Sequence, residues 1–277
     1  MERLDPGVLG DGAFWIIGCG NMGRAMLDRW IACGLDPKSV TVIDPALPAI
    51  GQGVTVLAAP DDAAPSPSLV LLAVKPQMLD AAAVAIAPLL AKDTLLVSIL
   101  AGVTTATLRK RFTRPANIAR AMPNLPVAIG AGVVALYFDA DQPEVLARLG
   151  ALMAPLGAVE WLDAEAHFDA VTALSGSGPA FVARFTEAMS AGGAALGLPE
   201  AQAARMALAT VGGTAALLKA SGEAPAAMAH RVTSPNGTTQ AGLAVLDEKG
   251  EFQARVGATL AAAARRSVEL NPPAEAQ

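Results

Sequence analysis

The chain has 277 residues, enough for one large or two ordinary domains with a substantial core. Its 53% hydrophobic content with only 4% aromatics makes Ala, Val and Leu the core material, and a net charge of −5 without a basic run speaks against a nucleic-acid binder. No run reaches the roughly 18 apolar residues of a membrane span, and two cysteines and two histidines in no ligand spacing exclude a Cys- or His-rich metal centre.

The acidic opening Met1–Asp5 lacks the apolar core of a secretory signal. With Cys19 and Cys33 as the whole thiol content, the reducing cytoplasm is the expected location.

Residues 1–12 read as a loose leader. Phe14-Trp15-Ile16-Ile17 is a first strand that runs into Gly18-Cys19-Gly20-Asn21-Met22-Gly23, and a helix follows to about Cys33, stopped by Gly34. Val40–Ile43 is the second strand and Val54–Leu57 a weaker third; residues 60–68 are a Pro-, Asp- and Ser-rich loop. Leu69–Val74 and Thr94–Ile99 are unbroken apolar runs, the mark of strands buried on both faces of a parallel sheet, with a helix over 77–91 between them. Ile118–Ala121 and Gly132–Tyr137 are later strands, followed by a helix at 142–154 and a strand at 158–162.

From about Phe168 only helical patterns remain: 179–196 with Ser177 as N-cap, 199–221, 224–230, 238–248 and 251–270, with a disordered tail after Asn271. The expected architecture is a Rossmann-type doubly wound α/β sheet over residues 1–166, followed by an all-α domain over 167–277. Those helices are too apolar for a lone surface bundle, which predicts a dimer interface.

The first glycine run has the G-x-G-x-x-G pattern at a strand-to-helix turn. Gly18 serves the tight turn, Gly20 the approach of a diphosphate and Gly23 the close packing of helix on strand. Free N–H groups at the helix start favour the anion. Ligands in such sheets lie at the carboxyl ends of strands, which singles out two further breaks, Ala73-Val74-Lys75-Pro76 and Ile99-Leu100-Ala101-Gly102. Lys75 is either a solvated loop lysine or a contact to cofactor or substrate. Asp44 ends the second strand. It is either an Asp-Pro turn or a partner of the adenosine ribose hydroxyls that repels a 2′-phosphate and so favours NADH over NADPH.

Asn124 lies in the stiff segment Arg120–Pro126, as an amide partner or as plain loop. Leu174-Ser175-Gly176-Ser177-Gly178-Pro179 is a cap or a close backbone approach. The break Thr233–Thr239 offers a turn at Pro235-Asn236-Gly237 and then Thr238 and Thr239 at a helix start, where N–H groups and hydroxyls suit a carboxylate. No Ser-His-Asp set and no metal cluster is present, which fits chemistry carried by a cofactor.

Together, Ile17–Gly23, Ala73–Gln77, Ala101–Thr104, Arg120–Asn124, Leu174–Ala180 and Val232–Thr239 resemble the pyrroline-5-carboxylate reductases, over nearly the whole chain and in the family's order. The first stretch is generic to dinucleotide enzymes; the last two are specific. The resemblance implies reduction of pyrroline-5-carboxylate to proline with NADPH or NADH, no metal, and a homodimer that can build a decamer. It implies cofactor binding by Ile17, Gly18, Cys19, Gly20, Asn21, Met22, Ala73, Val74, Lys75, Pro76, Ile99 and Ala101; Asp44 and Asn124 join them on the grounds of their own chemistry and position. Ser234, Asn236, Gly237, Thr238 and Thr239 would take the substrate carboxylate, with Thr239 beside the ring nitrogen and Thr239 and Lys75 as the candidate catalytic residues.

The chain departs from the family pattern in two respects. Asn236 stands where a glycine is usual, and Asp44 and Pro60 stand where Ser and Asn usually hold a 2′-phosphate. A reductase of the same layout could act on an oxo acid or another imine; the 3-hydroxy-acid dehydrogenases, which share this layout, use a lysine of the helical domain as acid, and Lys219 and Lys249 here lie in no such motif. A nucleotide sensor would need no carboxylate loop.

Overall fold

The structure, a computed structural model, describes residues 4–270 except 11, 52 and 61–65. The chain divides into two compact units: the first extends to Gly176 and takes up the chain again from Ala263, and the second is Ser177–Ala262.

In the first unit β1 (Ala13–Ile17) passes through the glycine turn into α1 (Asn21–Ala32), followed by β2 (Val40–Ile43), β3 (Thr55–Leu57) and β4 (Pro67–Leu72). Next come α2 (Leu79–Ile86), β5 (Leu95–Ser98), α3 (Thr105–Arg111), β6 (Asn117–Pro123) and β7 (Gly132–Tyr137). Then α4 (Pro143–Met153), β8 (Gly157–Trp161) and the short α5 (Phe168–Val171) complete the run. The strands form one sheet in the order β3-β2-β1-β4-β5-β6-β7-β8. Every neighbouring pair is parallel except β6 with β7. The order reverses between β1 and β4, and it is at such a switch point that doubly wound sheets open a crevice.

Both faces of the sheet are covered, and the strand period of two decides which residue goes where. Phe14 and Ile16 of β1 face the helices α1 and α4, in a core with Leu27, Trp30 and Leu149. Trp15 and Ile17 face α2 and α3, with Ile86, Leu108 and Phe112. Trp30 meets Phe14 edge-on at 5.4 Å between ring centres, and its indole N–H donates to the Leu152 carbonyl at 2.7 Å. A buried indole is thereby satisfied at its one polar atom.

The second unit holds α6 (Gly178–Ala195), α7 (Glu200–Ser221), α8 (Pro225–Arg231), α9 (Thr238–Leu246) and the start of α10 (Glu251–Leu270). The pair α6 and α7 packs through small residues: a Cβ on Gly193 would sit 3.3 Å from that of Ala203. Among the unit's described residues only Ala203, Ala207 and Met228 are buried, while Phe185, Met206, Leu208 and Val245 stand exposed. This apolar surface is far more than a lone helical unit normally shows water.

Several elements differ from the sequence expectation for identifiable reasons. In the leader, Pro6–Leu9 forms a 3-10 turn capped by the Asp5 carboxylate, and Leu4, Val8 and Leu9 are buried. Arg148 of α4 holds this turn by donating to the carbonyls of Val8 (2.7 Å) and Leu9 (2.8 Å). The helix expected at 77–91 is interrupted after Ile86, where Pro88 has no N–H to continue the ladder. The short α3 has no counterpart in the expectation; its first turn carries Thr105 and Thr107, β-branched residues of low helix propensity, and it forms on the Thr104 side-chain cap. Residues 172–176 make a π-helical turn that runs straight into α6, so Ser177 keeps helical backbone angles and makes no side-chain cap bond. The tail after residue 270 and residues 61–65 of the expected loop at 60–68 lie outside the described residues.

Replacing Arg148→Ala strands the carbonyls that the guanidinium serves. Urea unfolding of this variant is expected to show a loss of about 1–3 kcal/mol, with faster hydrogen exchange at the Val8 and Gly10 amides.

Candidate active site

A cleft of about 580 Å³ opens at the carboxyl ends of the strands on either side of the switch point. The glycine turn forms its floor. Gly18 has φ +83°, and a Cβ there would lie 2.8 Å from Val74 Cγ1 and 3.0 Å from the Val74 Cα, so only glycine lets β1 pass β4 this closely. A Cβ on Gly23 would meet the Gly18 carbonyl oxygen at 3.0 Å and the Ala73 Cβ at 3.2 Å, which seats the first turn of α1 directly on the turn. Gly20 differs: it lines the cleft and has no protein atom within 4 Å of where its Cβ would be. As the N-cap of the twelve-residue α1 it supplies no side-chain acceptor, and the first amides of the helix are left for a ligand.

Asp44 closes the β2 side. Its Oδ2 accepts the Cys19 N–H at 2.7 Å and its Oδ1 accepts the Ala46 N–H at 2.9 Å. The carboxylate therefore makes both the Asp-Pro turn and a tie to the glycine turn, while remaining part of the cleft lining. Lys75, exposed at the end of β4, is the one cation lining the cleft among the described residues, and Asp44 is the one anion. Charge is thus separated along the cleft, negative towards β2 and positive towards β4.

Of the residues singled out from sequence, Gly18, Gly20, Asn21, Met22, Asp44, Ala73, Val74, Lys75, Pro76, Ile99 and Ala101 line this one cleft. Ile17, Cys19 and Asn124 do not. Ile17 is a core residue of β1 whose carbonyl accepts the Ala73 N–H at 2.8 Å. Cys19 contributes its amide to Asp44 and buries its thiol. Asn124 is buried with both ends of its amide used: Oδ1 accepts the Val133 N–H (2.8 Å) and Nδ2 donates to the Ser175 carbonyl in the π turn (3.0 Å). Met122 and Pro123, at the end of β6, also line the cleft and were not singled out. Their place at a strand's carboxyl end was the available signal.

In the second unit, the loop before α9 is built as the sequence suggests. Asn236 has φ +57°, a left-handed conformation that Asn tolerates better than most residues. Its N–H donates to the Gln240 side-chain oxygen at 2.6 Å, and the Gly237 N–H donates to the Ser234 carbonyl at 3.0 Å. Gly237 is the N-cap without a side-chain cap bond, and a Cβ on it would meet Ser234 Oγ. Thr238 and Thr239 are the first two helical residues, and their amides precede the first bond of the helical ladder, from Ala241 N–H to the Gly237 carbonyl.

Two segments of the chain match known protein families. Residues 165–270 match the family model described as pyrroline-5-carboxylate reductase dimerisation. Residues 14–102 match that described as NADP oxidoreductase coenzyme F420-dependent. Similar relatives include the pyrroline-5-carboxylate reductase of Synechocystis, 42% identical over 92% of this chain and 97% of the relative. That of Pseudomonas aeruginosa is 36% identical over 92% of this chain and 95% of the relative. Among solved structures, a pyrroline-5-carboxylate reductase from Coxiella burnetii superposes with a TM-score of 0.86 at 29% identity, covering 94% of this chain and 99% of that one.

Burial pushes the Cys19 thiol up to about 11; Arg24 opposes the shift and the carboxylates of Asp44 and Asp28 add to it. The folded chain binds this proton more tightly than the unfolded one, so the site favours folding less as pH rises from the ordinary thiol range of about 8.5 towards 11. In a Cys33→Ser background, alkylation of native Cys19 should be slow at pH 8 and quicken by about tenfold per pH unit until it levels off near 11. Levelling off near 8.5 would show a solvated thiol.

Proposed function

Because the chain belongs to the pyrroline-5-carboxylate reductase family, we propose that it reduces L-1-pyrroline-5-carboxylate to L-proline, the closing step of proline synthesis, with a nicotinamide dinucleotide as donor. The observation that carries this is the cleft in which the uncapped start of α1, Asp44 and Lys75 come together, in a chain that matches such reductases almost end to end. Gly20, where the protein itself leaves room, and the free amides after it fit a diphosphate.

In this reading the amides of Asn21 and Met22 take the diphosphate. The Asp44 carboxylate takes the adenosine ribose, and the segments Ala73–Pro76 and Ile99–Ala101 hold the nicotinamide half. Asn124 braces the site from behind. When bound, the dinucleotide supplies a hydride to the imine carbon. The chain's own part is to hold the substrate carboxylate on the amides of Thr238 and Thr239, with Ser234, Asn236 and Gly237 shaping the turn. The Thr239 hydroxyl orients the protonated ring nitrogen, since an iminium accepts hydride more readily than an imine. Lys75 adds positive charge at the cleft. Orientation, rather than a strong acid or base, supplies most of the rate.

A second negative charge beside Asp44 would be repelled, and its two amide bonds hold the carboxylate in place, which supports a preference for NADH. The functional division we adopt is 1–166 for the dinucleotide and 167–277 for substrate and dimerisation; the dimerisation match from residue 165 supports it. The exposed apolar helices of the second unit support a homodimer, which five-fold association would make a decamer. Two free, buried cysteines fit the cytoplasm.

The reading is tested by oxidation of NADH and NADPH with pyrroline-5-carboxylate against simple oxo acids; turnover with the oxo acids alone would refute it. Thr239→Ala is expected to lower kcat at least about tenfold while leaving dinucleotide affinity near normal. Equal losses in both would make the threonine structural. Asp44→Ser is expected to raise the NADPH-to-NADH ratio of kcat/KM by about tenfold, and an unchanged ratio would remove Asp44 from cofactor choice.

A further inference from the structure

Glu165 opens the 3-10 turn Glu165–His167 after β8, far along the chain from the cleft walls, yet its carboxylate joins two of them. Oε1 accepts the Thr105 N–H at 2.7 Å and the Arg120 Nη1–H at 3.0 Å, and Oε2 accepts the Thr105 hydroxyl at 3.0 Å. Thr105 begins α3, directly after the turn whose residues Ile99, Leu100 and Ala101 line the cleft. Arg120 lies in β6, just before the lining residues Met122 and Pro123.

The place of this clamp along the sheet matters. The parallel ladder between β5 and β6 ends at the pair Ser98 and Arg120. Beyond it β5 turns away into α3, while β6 continues against β7 up to Pro123. No backbone ladder joins the two walls past that pair, and the Glu165 carboxylate takes over there. Arg120 depends on it: its side chain is only 7% exposed, its guanidinium lies 4.0 Å from the centre of the Phe168 ring, and Glu165 is its ion-pair partner. A carboxylate at the first turn of a helix also suits the helix dipole. Neither Glu165 nor Arg120 lines the cleft.

We propose that Glu165 is a positioning residue for the β5–β6 side of the cleft, fixing the turn after β5 against the end of β6 through Thr105 and Arg120. In the strand order this side lies opposite Asp44, so it is the nicotinamide side in the functional reading on which this inference rests. A shift of these walls moves the ring that must deliver hydride, and small misplacements of reacting groups are costly to rate.

The test compares Glu165→Ala with Glu165→Gln in the full-length chain, each normalised to folded protein. The alanine variant is expected to lose about tenfold or more in kcat and to bind dinucleotide several-fold more weakly, with KM for the imine unchanged. The glutamine variant, whose side-chain oxygen can still accept from Thr105 and Arg120, should stay within about threefold of wild type. A lowered melting temperature with wild-type kcat and KM in the alanine variant would overturn the proposal, as would a glutamine variant as impaired as the alanine one. Should Glu165→Ala not fold, Thr105→Val removes the hydroxyl bond alone and is expected to weaken dinucleotide binding in the same direction; wild-type binding there overturns it. NADH affinity measured by calorimetry without imine keeps the inference separate from the functional reading: absent turnover in the wild type refutes the latter, and unchanged NADH affinity in Glu165→Ala the former.

Discussion

The cleft depends on how closely two strands and a helix can approach one another at Gly18. With a side chain at that position β1 would be driven off Val74, and with one at Gly23 the first turn of α1 would be driven off both the Gly18 carbonyl and Ala73. These contacts bring the start of α1 against the switch point between β1 and β4. The alternation of Phe14 and Ile16 with Trp15 and Ile17 between the two covered faces then fixes the register, since a one-residue slip would send each side chain into the other core. Backbone sterics, more than any polar contact, decide where the cleft lies.

The parts of the fold legible in the sequence are those governed by short-range pattern. Unbroken apolar runs identify β4 and β5 because a strand covered on both faces needs no polar alternation. The glycine spacing identifies the start of α1, and most of the cleft lining follows from the rule that ligands sit where strands end. What stayed hidden is governed by partners distant in sequence. The order of the leader depends on Arg148, more than a hundred residues away, and α3 is held by Glu165, sixty residues on. Asn124 could be singled out as a constrained amide, but its partners Val133 and Ser175 are tertiary, and nothing in its neighbourhood announces a brace. The π turn at 172–176 escapes a period-based reading altogether, because five residues are too few to display a period.

The two units answer different physical demands. The first completes its own core: both faces of the sheet are covered, and Trp15, Trp30, Phe14 and Phe112 reach near-zero exposure. The second cannot, because α6 and α7 spend their mutual contact on Gly and Ala and leave Phe185, Met206 and Leu208 facing outward. Its match to a dimerisation family accounts for that surface in terms of association rather than folding. The Ala-rich composition thus serves two ends, close helix pairing within the unit and a broad apolar face for another copy.

The Asp44 carboxylate illustrates how recognition and architecture become entangled. One of its oxygens restrains the Cys19 amide and the other the turn into Ala46, so the group proposed for the ribose is also a structural member of the turn it faces. If Asp44 sets cofactor choice as proposed, a lineage that exchanges it for a smaller neutral residue loosens the glycine turn in the same step. On that proposal, drift between the two dinucleotides calls for a second substitution that restores an acceptor for the Cys19 amide, a paired event rather than a single one.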